Sequence, residues 1–403
     1  MRLVPEIQTT NLLALTSELF GKSKIINLPE KAEYSFQDTL NVLLRAATST
    51  SNSIESASID LRMKTPYKNV PSADSIHSYI NSNSIDYMIS SFRQINTEII
   101  KHTNLKGTYQ DAAIDFHDIP YYGDKNTSGI RGIKPKNGTS WGYSFCSLDI
   151  IGDIKLTIDV IDINGLAKNY SILMESMIQR LKAMEINLRT LFMDREFFNN
   201  PTISTLQRLN KYFVIAAKSN KKINAILHEH KKKFGQTTTF FEYQFEKGGK
   251  KFIIVAVLNP KYDPNSKKDK GNNEYHLFAT NLPVNNASDF VKKIPEEYRK
   301  RWNIETGYRV KNAFKIRTCS KSPIARSLFF LIQCLLYNIE SLLKLVIEID
   351  AYKLKSTISD AIEIVIKEGY KLLGNVTVQN FMNNLWEFME NRTKELRDRL
   401  SLT

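Results

Sequence analysis

Gln110-Asp111-Ala112-Ala113-Ile114-Asp115-Phe116-His117-Asp118-Ile119 marks the point where the texture of the chain changes. Its core, Ala-Ala-Ile-Asp-Phe, has the short, bulky character of a buried strand. Pro120, Gly123, Gly129 and Gly132 then predict a loop. Beyond it, Trp141–Ile151 and Lys155–Ile163 predict two further strands joined by a tight turn at Gly152-Asp153. A helix is expected over Leu166–Met184, with Leu173, Met177, Ile178 and Leu181 on one side. Leu188–Met193 is a short apolar strand running into Asp194. A helix around Pro201–Asn210 and a strand at Tyr212–Ala217 follow. Three strands, helix, strand, helix, strand suits an antiparallel meander followed by parallel crossovers, an α/β arrangement.

The flanks differ. Residues 1–105 read as helical, with apolar spacing over Ser35–Arg45, Ser53–Met63 and Ile85–His102 and no sharp helix-turn-helix signature. They form either a small DNA-binding domain or a helical cap. After residues 106–217, the first part of the core, comes a β-rich insertion over 218–283. It contains strands at Phe240–Phe245, Phe252–Leu258 and Tyr275–Leu282, with a polar loop at Asp263–Asn273. A long helix is expected from Asp289 or Pro295 to about Phe314, within a last core segment 284–340, and 341–403 is helical. The strand and helix order is the one found in ribonuclease H-like domains, so the expected fold is a ribonuclease H-like core with a β-rich insertion and helical flanks.

Composition narrows the partner. The 403 residues carry 56 Lys and Arg against 42 Asp and Glu, a net charge of +14. Such an excess favours a polyanion, since cations laid on phosphates release counterions; membrane surfaces and acidic proteins are the rivals. Cys146, Cys319 and Cys334 form no CxxC pair, which argues against a disulfide framework or a four-ligand zinc site. Ser327–Ile349 is the most apolar stretch, but Gln333, Asn338, Glu340 and Lys344 interrupt it, so it reads as a buried helix and no membrane partner is expected. With no signal-peptide core in Met1–Thr10, a cytoplasmic location is expected.

Three acids stand at positions such a fold brings together. Asp115 lies near the end of the first core strand, Asp194 directly after the fourth, and Glu305 inside the long helix. Convergent carboxylates suit hard divalent cations, and two such ions can activate an attacking oxygen and stabilise a leaving one. His117 and Asp118 stand close enough to compete with Asp115, and Glu196 with Asp194. The segment Tyr298-Arg299-Lys300-Arg301-Trp302-Asn303-Ile304-Glu305 continues to Tyr308 and Asn312, and Tyr298, Arg301, Glu305, Tyr308 and Asn312 are spaced to share one helix face. Trp302, beside that face, is of a type that stacks on bases. Lys218, directly after a core strand, belongs to a loop that can line a DNA groove.

These residues resemble the DDE transposases of bacterial and archaeal insertion sequences, in the group with the YREK signature (insertion-sequence family four). The signature is Tyr, two residues, Arg, three residues, Glu, six residues, Lys. Tyr298, Arg301 and Glu305 match; its Lys position falls on Asn312. Lys311 or Arg309 is the expected replacement cation. Met193-Asp194-Arg195-Glu196-Phe197-Phe198 is similar to the family's second-Asp segment, and Ile114-Asp115-Phe116-His117-Asp118-Ile119 to its first. The resemblance covers about residues 109–340. It implies cleavage at element ends and strand transfer into target DNA. It also implies catalysis and metal binding by Asp115, Asp194 and Glu305, and two Mg²⁺ ions with Mn²⁺ able to substitute. DNA contacts follow for Tyr298, Arg301 and Trp302. Double-stranded DNA is the implied partner, with a homodimer formed on it. The rivals are a nuclease that cuts without transposing and a non-catalytic DNA-binding protein derived from a transposase.

Overall fold

A computed structural model describes residues 9–50, 52–66, 68–164, 170–260, 262, 274–347, 349–368 and 376–401. The polar loop expected at Asp263–Asn273 and most of the amino-terminal decapeptide lie outside the described residues.

Five helices come first: α1 (Thr9–Lys22), α2 (Phe36–Thr48), α3 (Ile54–Lys64), α4 (Ala73–Asn81) and α5 (Ile85–Lys101). Serines set the starts of the last four. Ser35, Ser53, Ser72 and Ser84 each cap a helix by accepting from the third backbone N–H beyond, and Ser35 forms a reciprocal box with Asp38. The central segment then supplies β1 (Tyr109–Pro120), β2 (Arg131–Lys136), β3 (Thr139–Ile151), β4 (Lys155–Asp162), α6 (Ser171–Ala183), β5 (Asn187–Met193), α7 (Asn200–Arg208) and β6 (Tyr212–Ala216). Next come α8 (Lys221–Phe234), β7 (Thr239–Tyr243), β8 (Phe252–Leu258) and β9 (Tyr275–Thr280). The chain ends with α9 (Ala287–Arg299), α10 (Trp302–Ala313), α11 (Pro323–Ile347), α12 (Ala351–Glu368) and α13 (Val376–Ser401).

All nine strands join one mixed sheet, in the order β2-β3-β1-β5-β6-β9-β8-β7, with β4 also on β3. β1 is antiparallel to β3 and parallel to β5, which is parallel to β6. The outer edge of β3 is shared: β2 pairs with its first residues and β4 with its last. The strands of the 218–283 segment extend this sheet, because β9 pairs antiparallel with β6.

Strand alternation sends successive residues to opposite faces. Ala113, Phe192, Val214 and Val255 form one apolar layer with Phe290, Ile294 and Ile304 of α9 and α10. Their neighbours Ala112, Ile114, Leu191, Met193, Phe213 and Ile215 join the larger core. The helix α11 passes through that core, with 83% of its most apolar stretch buried. The first and last helical segments meet: α1 and α2 pack on α12, and Arg45 of α2 pairs with Asp60 and with Glu363 of α12.

Two expectations need correction. The stretch read as a loop after Pro120 contains the edge strand β2. The single long helix expected up to Phe314 is two helices, α9 and α10, joined at Lys300-Arg301. There the ladder tightens to i→i+3 bonds, Lys300 N–H to Glu297 carbonyl and Arg301 N–H to Tyr298 carbonyl, both 3.0 Å.

Candidate active site

The parallel pairing of β1 with β5 ends at Ile114 opposite Met193. The next residues are Asp115 and Asp194. Alternation puts both on the same face as Ala113 and Phe192, the face that α9 and α10 cover. Asp115 is not at the end of its strand: β1 continues to Pro120 on β3, with Asp115 opposite Ser147. What ends there is the contact with β5, and the two acids flank the point of divergence.

Each carboxylate is partly fixed by backbone. Asp115 Oδ1 accepts from Phe116 N–H at 2.9 Å. Asp194 caps a single 3₁₀ turn, Arg195–Phe197, by accepting from Glu196 N–H at 2.7 Å. The third acid arrives through the α9–α10 turn. Arg301 points inward, its side chain 11% exposed, with one terminal nitrogen 3.1 Å from Asp115 Oδ2 and the other bonded to Glu305 Oε1. The ring of Tyr298 lies 5.5 Å from the guanidinium. The Glu305 side chain is 53% exposed. Tyr298, Arg301 and Glu305 are therefore together, gathered by a turn and not by one continuous helical face.

Burial raises the Asp115 carboxyl to about 7; Arg301 opposes the shift and the nearby Asp194 charge adds to it. Burial also raises Asp194. The Tyr298 hydroxyl is pushed up to about 12 by burial, so it stays protonated as a donor. Among the described residues, no three His, Cys, Asp or Glu side chains converge on a single ion-sized position. The donor chemistry nonetheless suits a hard divalent cation: the site offers carboxylate oxygens, and two of the three acids already hold a cationic group, Arg301, between them.

Sequence reasoning missed Lys134. It sits on β2 with Nζ 2.7 Å from Glu196 Oε1 and 3.8 Å from Asp194 Oδ2. Glu196 is thus held by a lysine. Asp118 accepts from Ser144 Oγ at 2.6 Å, in a small pocket shared with Asp115 and Asp194. His117 is half-buried in a stack between Tyr308 and Phe330, each 4.8 Å away, and desolvation drives its imidazole down to about 3, where it is neutral.

A cleft of about 1160 Å³ opens beside the acids, and its lining includes Lys134, Asp194, Lys218, Tyr298, Arg301 and Trp302. Trp302 is 60% exposed there. Arg309 is exposed on α10, as is Asn312. Lys311 departs from expectation. It is 1% exposed and paired with Asp149 at 2.7 Å, so it has no surface to offer DNA, and Arg309 is left as the free cation on this stretch of helix.

A family model described as "Transposase DDE domain" matches residues 107–339. No curated protein matches the chain. Among solved structures, the cryo-EM structure of piggyBac transposase in a synaptic complex with hairpin DNA is similar in fold, with a TM-score of 0.59 and 12% identity over 97% of this chain and 87% of that one.

Proposed function

The chain belongs to the transposase DDE domain family, and from that premise we propose that it cuts DNA at the ends of an insertion sequence and joins the freed 3′ ends to target DNA. Asp115, Asp194 and Glu305 are the acids of the reaction and the ligands of Mg²⁺. The observation that carries this reading is the placement of Asp115 and Asp194 side by side where β1 leaves β5, facing the turn that brings Glu305. The sheet order β4-β3-β1-β5-β6, antiparallel and then parallel, supports a ribonuclease H-like core. The Tyr298-Arg301-Glu305 spacing supports the YREK group.

Divalent metal, when bound by these carboxylates, makes water or a 3′-hydroxyl a better nucleophile and stabilises the departing oxygen. The protein's own groups supply the rest. Lys218 and Arg301 carry charge for phosphates in the cleft and Arg309 carries it on the exposed side of α10, Tyr298 offers a protonated hydroxyl, and Trp302 presents a face to a base. Arg301 has a double part. It bonds Asp115 and Glu305, two of the carboxylates that would hold a divalent ion, and its guanidinium would exchange them for phosphate when DNA occupies the cleft. The piggyBac structure is a synaptic complex, and by analogy two copies of this chain pair two ends.

The test uses the purified protein and a labelled duplex carrying the element end, with Mg²⁺ or Mn²⁺ against EDTA. Metal-dependent nicking at the end, strand-transfer products, and loss of both in Asp194→Ala are the expected results. Cleavage undiminished by EDTA or by Asp194→Ala refutes the reading, and nicking that never proceeds to strand transfer reduces the protein to a nuclease.

A further inference from the structure

Lys311 and Asp149 form a buried ion pair that the reaction, as read so far, does not use. Lys311 Nζ is 2.7 Å from Asp149 Oδ1, and both side chains are almost fully buried. The carboxylate has further partners. Thr157 Oγ1 donates to Asp149 Oδ1 at 2.6 Å, and Ser147 Oγ donates to Oδ2 at 2.5 Å. Ser147, its proton given to Asp149, accepts from the Tyr308 hydroxyl at 2.8 Å. The ammonium also lies over the rings of Tyr308 and Tyr337, at 4.6 and 5.1 Å.

The position of this cluster is what gives it a consequence. Ser147 is the cross-strand partner of Asp115, and Tyr308 Oη lies 3.4 Å from the Asp115 carbonyl oxygen. Lys311 stands six residues beyond Glu305 on the same twelve-residue helix, α10. The helix is therefore tied to the sheet at both ends. At its start, Lys300 reaches Asp111 at 3.3 Å and Arg301 reaches Asp115 at 3.1 Å. At its far end, Lys311 reaches Asp149. Arg301 would compete with a metal ion for the Asp115 carboxylate, whereas the Lys311 tie, on the same sheet face, lies outside the lining of the cleft. An apolar residue at 311 would fill the space without the desolvation cost of a buried ammonium. What the ion pair adds is direction, because it fixes the rotation of α10 about its axis.

Resting on the transposase reading above, we propose that Lys311 and Asp149 are positioning residues for the reaction: a buried pair that holds α10 so that Glu305 meets Asp115 and Asp194.

The test is a neutral pair, Lys311→Met with Asp149→Asn, which nearly keeps side-chain size, leaves an acceptor for the Ser147 and Thr157 hydroxyls and leaves no lone buried charge. With the variant folded, DNA-end binding is expected within twofold of wild type. Mn²⁺ affinity, titrated calorimetrically into the DNA-free protein, should fall about tenfold, and kcat about 100-fold, the scale of a misplacement near 1 Å. Mn²⁺ affinity and kcat both within twofold of wild type overturn the proposal. Tyr308→Phe decides the matter if the double variant does not fold. It removes the hydroxyl between Ser147 and the Asp115 backbone and keeps the ring and the ion pair; a tenfold loss of kcat with unchanged DNA binding supports positioning, and unchanged kcat overturns it. Wild-type protein that binds Mn²⁺ through Asp194 but cleaves no DNA sinks the transposase reading instead, and the Mn²⁺ comparison still judges the pair.

Discussion

Replacing Asp115 with Asn is expected to stabilise the metal-free protein at alkaline pH while destroying its chemistry. The carboxyl is raised to about 7 from an ordinary 3.8, because burial outweighs the attraction of Arg301 and the Asp194 charge adds to it. A carboxyl raised by folding binds protons in the native state that the unfolded chain has released. Its favourable contribution is therefore complete below about pH 4 and is lost as pH rises through 7. The rise from 3.8 to about 7, at about 1.36 kcal/mol per tenfold change in proton affinity, sets an upper limit of about 4 kcal/mol against the ionised form. Relaxation and water entry leave about half of that, on the order of 2 kcal/mol. Asn is neutral throughout and escapes the penalty. With unfolding entropies near 2.1 cal/mol/K per residue, the gain corresponds to roughly 2–5 °C in Tm for a chain of 403 residues. Thermal unfolding in EDTA at pH 5, 7 and 8.5 measures it. The variant's advantage over wild type should be small at pH 5 and larger at pH 8.5, and added Mn²⁺ should favour wild type again. A variant less stable at pH 8.5, or equally stabilised at pH 5, refutes the electrostatic reasoning.

Three further outcomes are expected. Arg301→Gln frees oxygens of Asp115 and Glu305, so the DNA-free protein should bind Mn²⁺ about tenfold more tightly by calorimetry, and unchanged or weaker binding counts against the exchange of Arg301 for metal. Trp302→Ala removes a side chain 60% exposed at the cleft; unfolding should shift by less than about 0.5 kcal/mol while DNA-end affinity falls by the roughly 1–3 kcal/mol of a stacked base, and an unchanged affinity in a filter or anisotropy assay removes Trp302 from the interface. Gly307→Ala places a Cβ 3.0 Å from the hydroxyl oxygen of buried Tyr337, so urea unfolding should show a loss of about 1 kcal/mol despite alanine's better helix propensity, and a stabilised variant would show that α10 and α11 are not closely packed there.

Much of the sheet was legible because its strands are short apolar runs set off by turn residues. β3, β4, β5 and β6 fall within a residue or two of where alternation and glycine placed them. β2 was illegible for the converse reason. It is six largely exposed residues, Arg131–Lys136, containing Gly132 and Pro135, and it is a strand because β3 offers a free edge. The break between α9 and α10 carries no local signal. Lys300 and Arg301 keep right-handed backbone angles, φ −56° and −58°, and neither is glycine or proline, so helical periodicity runs straight through them. What fixes the turn is tertiary. Asp111 and Asp115, four apart on one face of β1, take Lys300 and Arg301 respectively.

The same physics explains why Lys311 was misread and what the net charge conceals. Placing a lysine inside requires a carboxylate that the sequence holds 162 residues earlier, and spacing along α10 cannot announce it. Lys300 and Arg301 are adjacent and Lys311 stands ten residues further on, and all three turn toward acids of the sheet, Asp111, Asp115 and Asp149. A surplus of +14 therefore overstates the cations that this segment presents to DNA. The three ties are not equivalent. Those of Lys300 and Lys311 join groups outside the lining of the cleft. Arg301 alone of the three bonds two of the proposed catalytic acids, and its Nε is buried without a hydrogen-bond partner. An arginine held by acids that metal competes for, and left with an unsatisfied donor, is the cheapest of the three to move. Phosphate at the cleft gives it somewhere better to go, so a helix fixed by Lys300 and Lys311 can let Arg301 exchange partners without carrying Glu305 away.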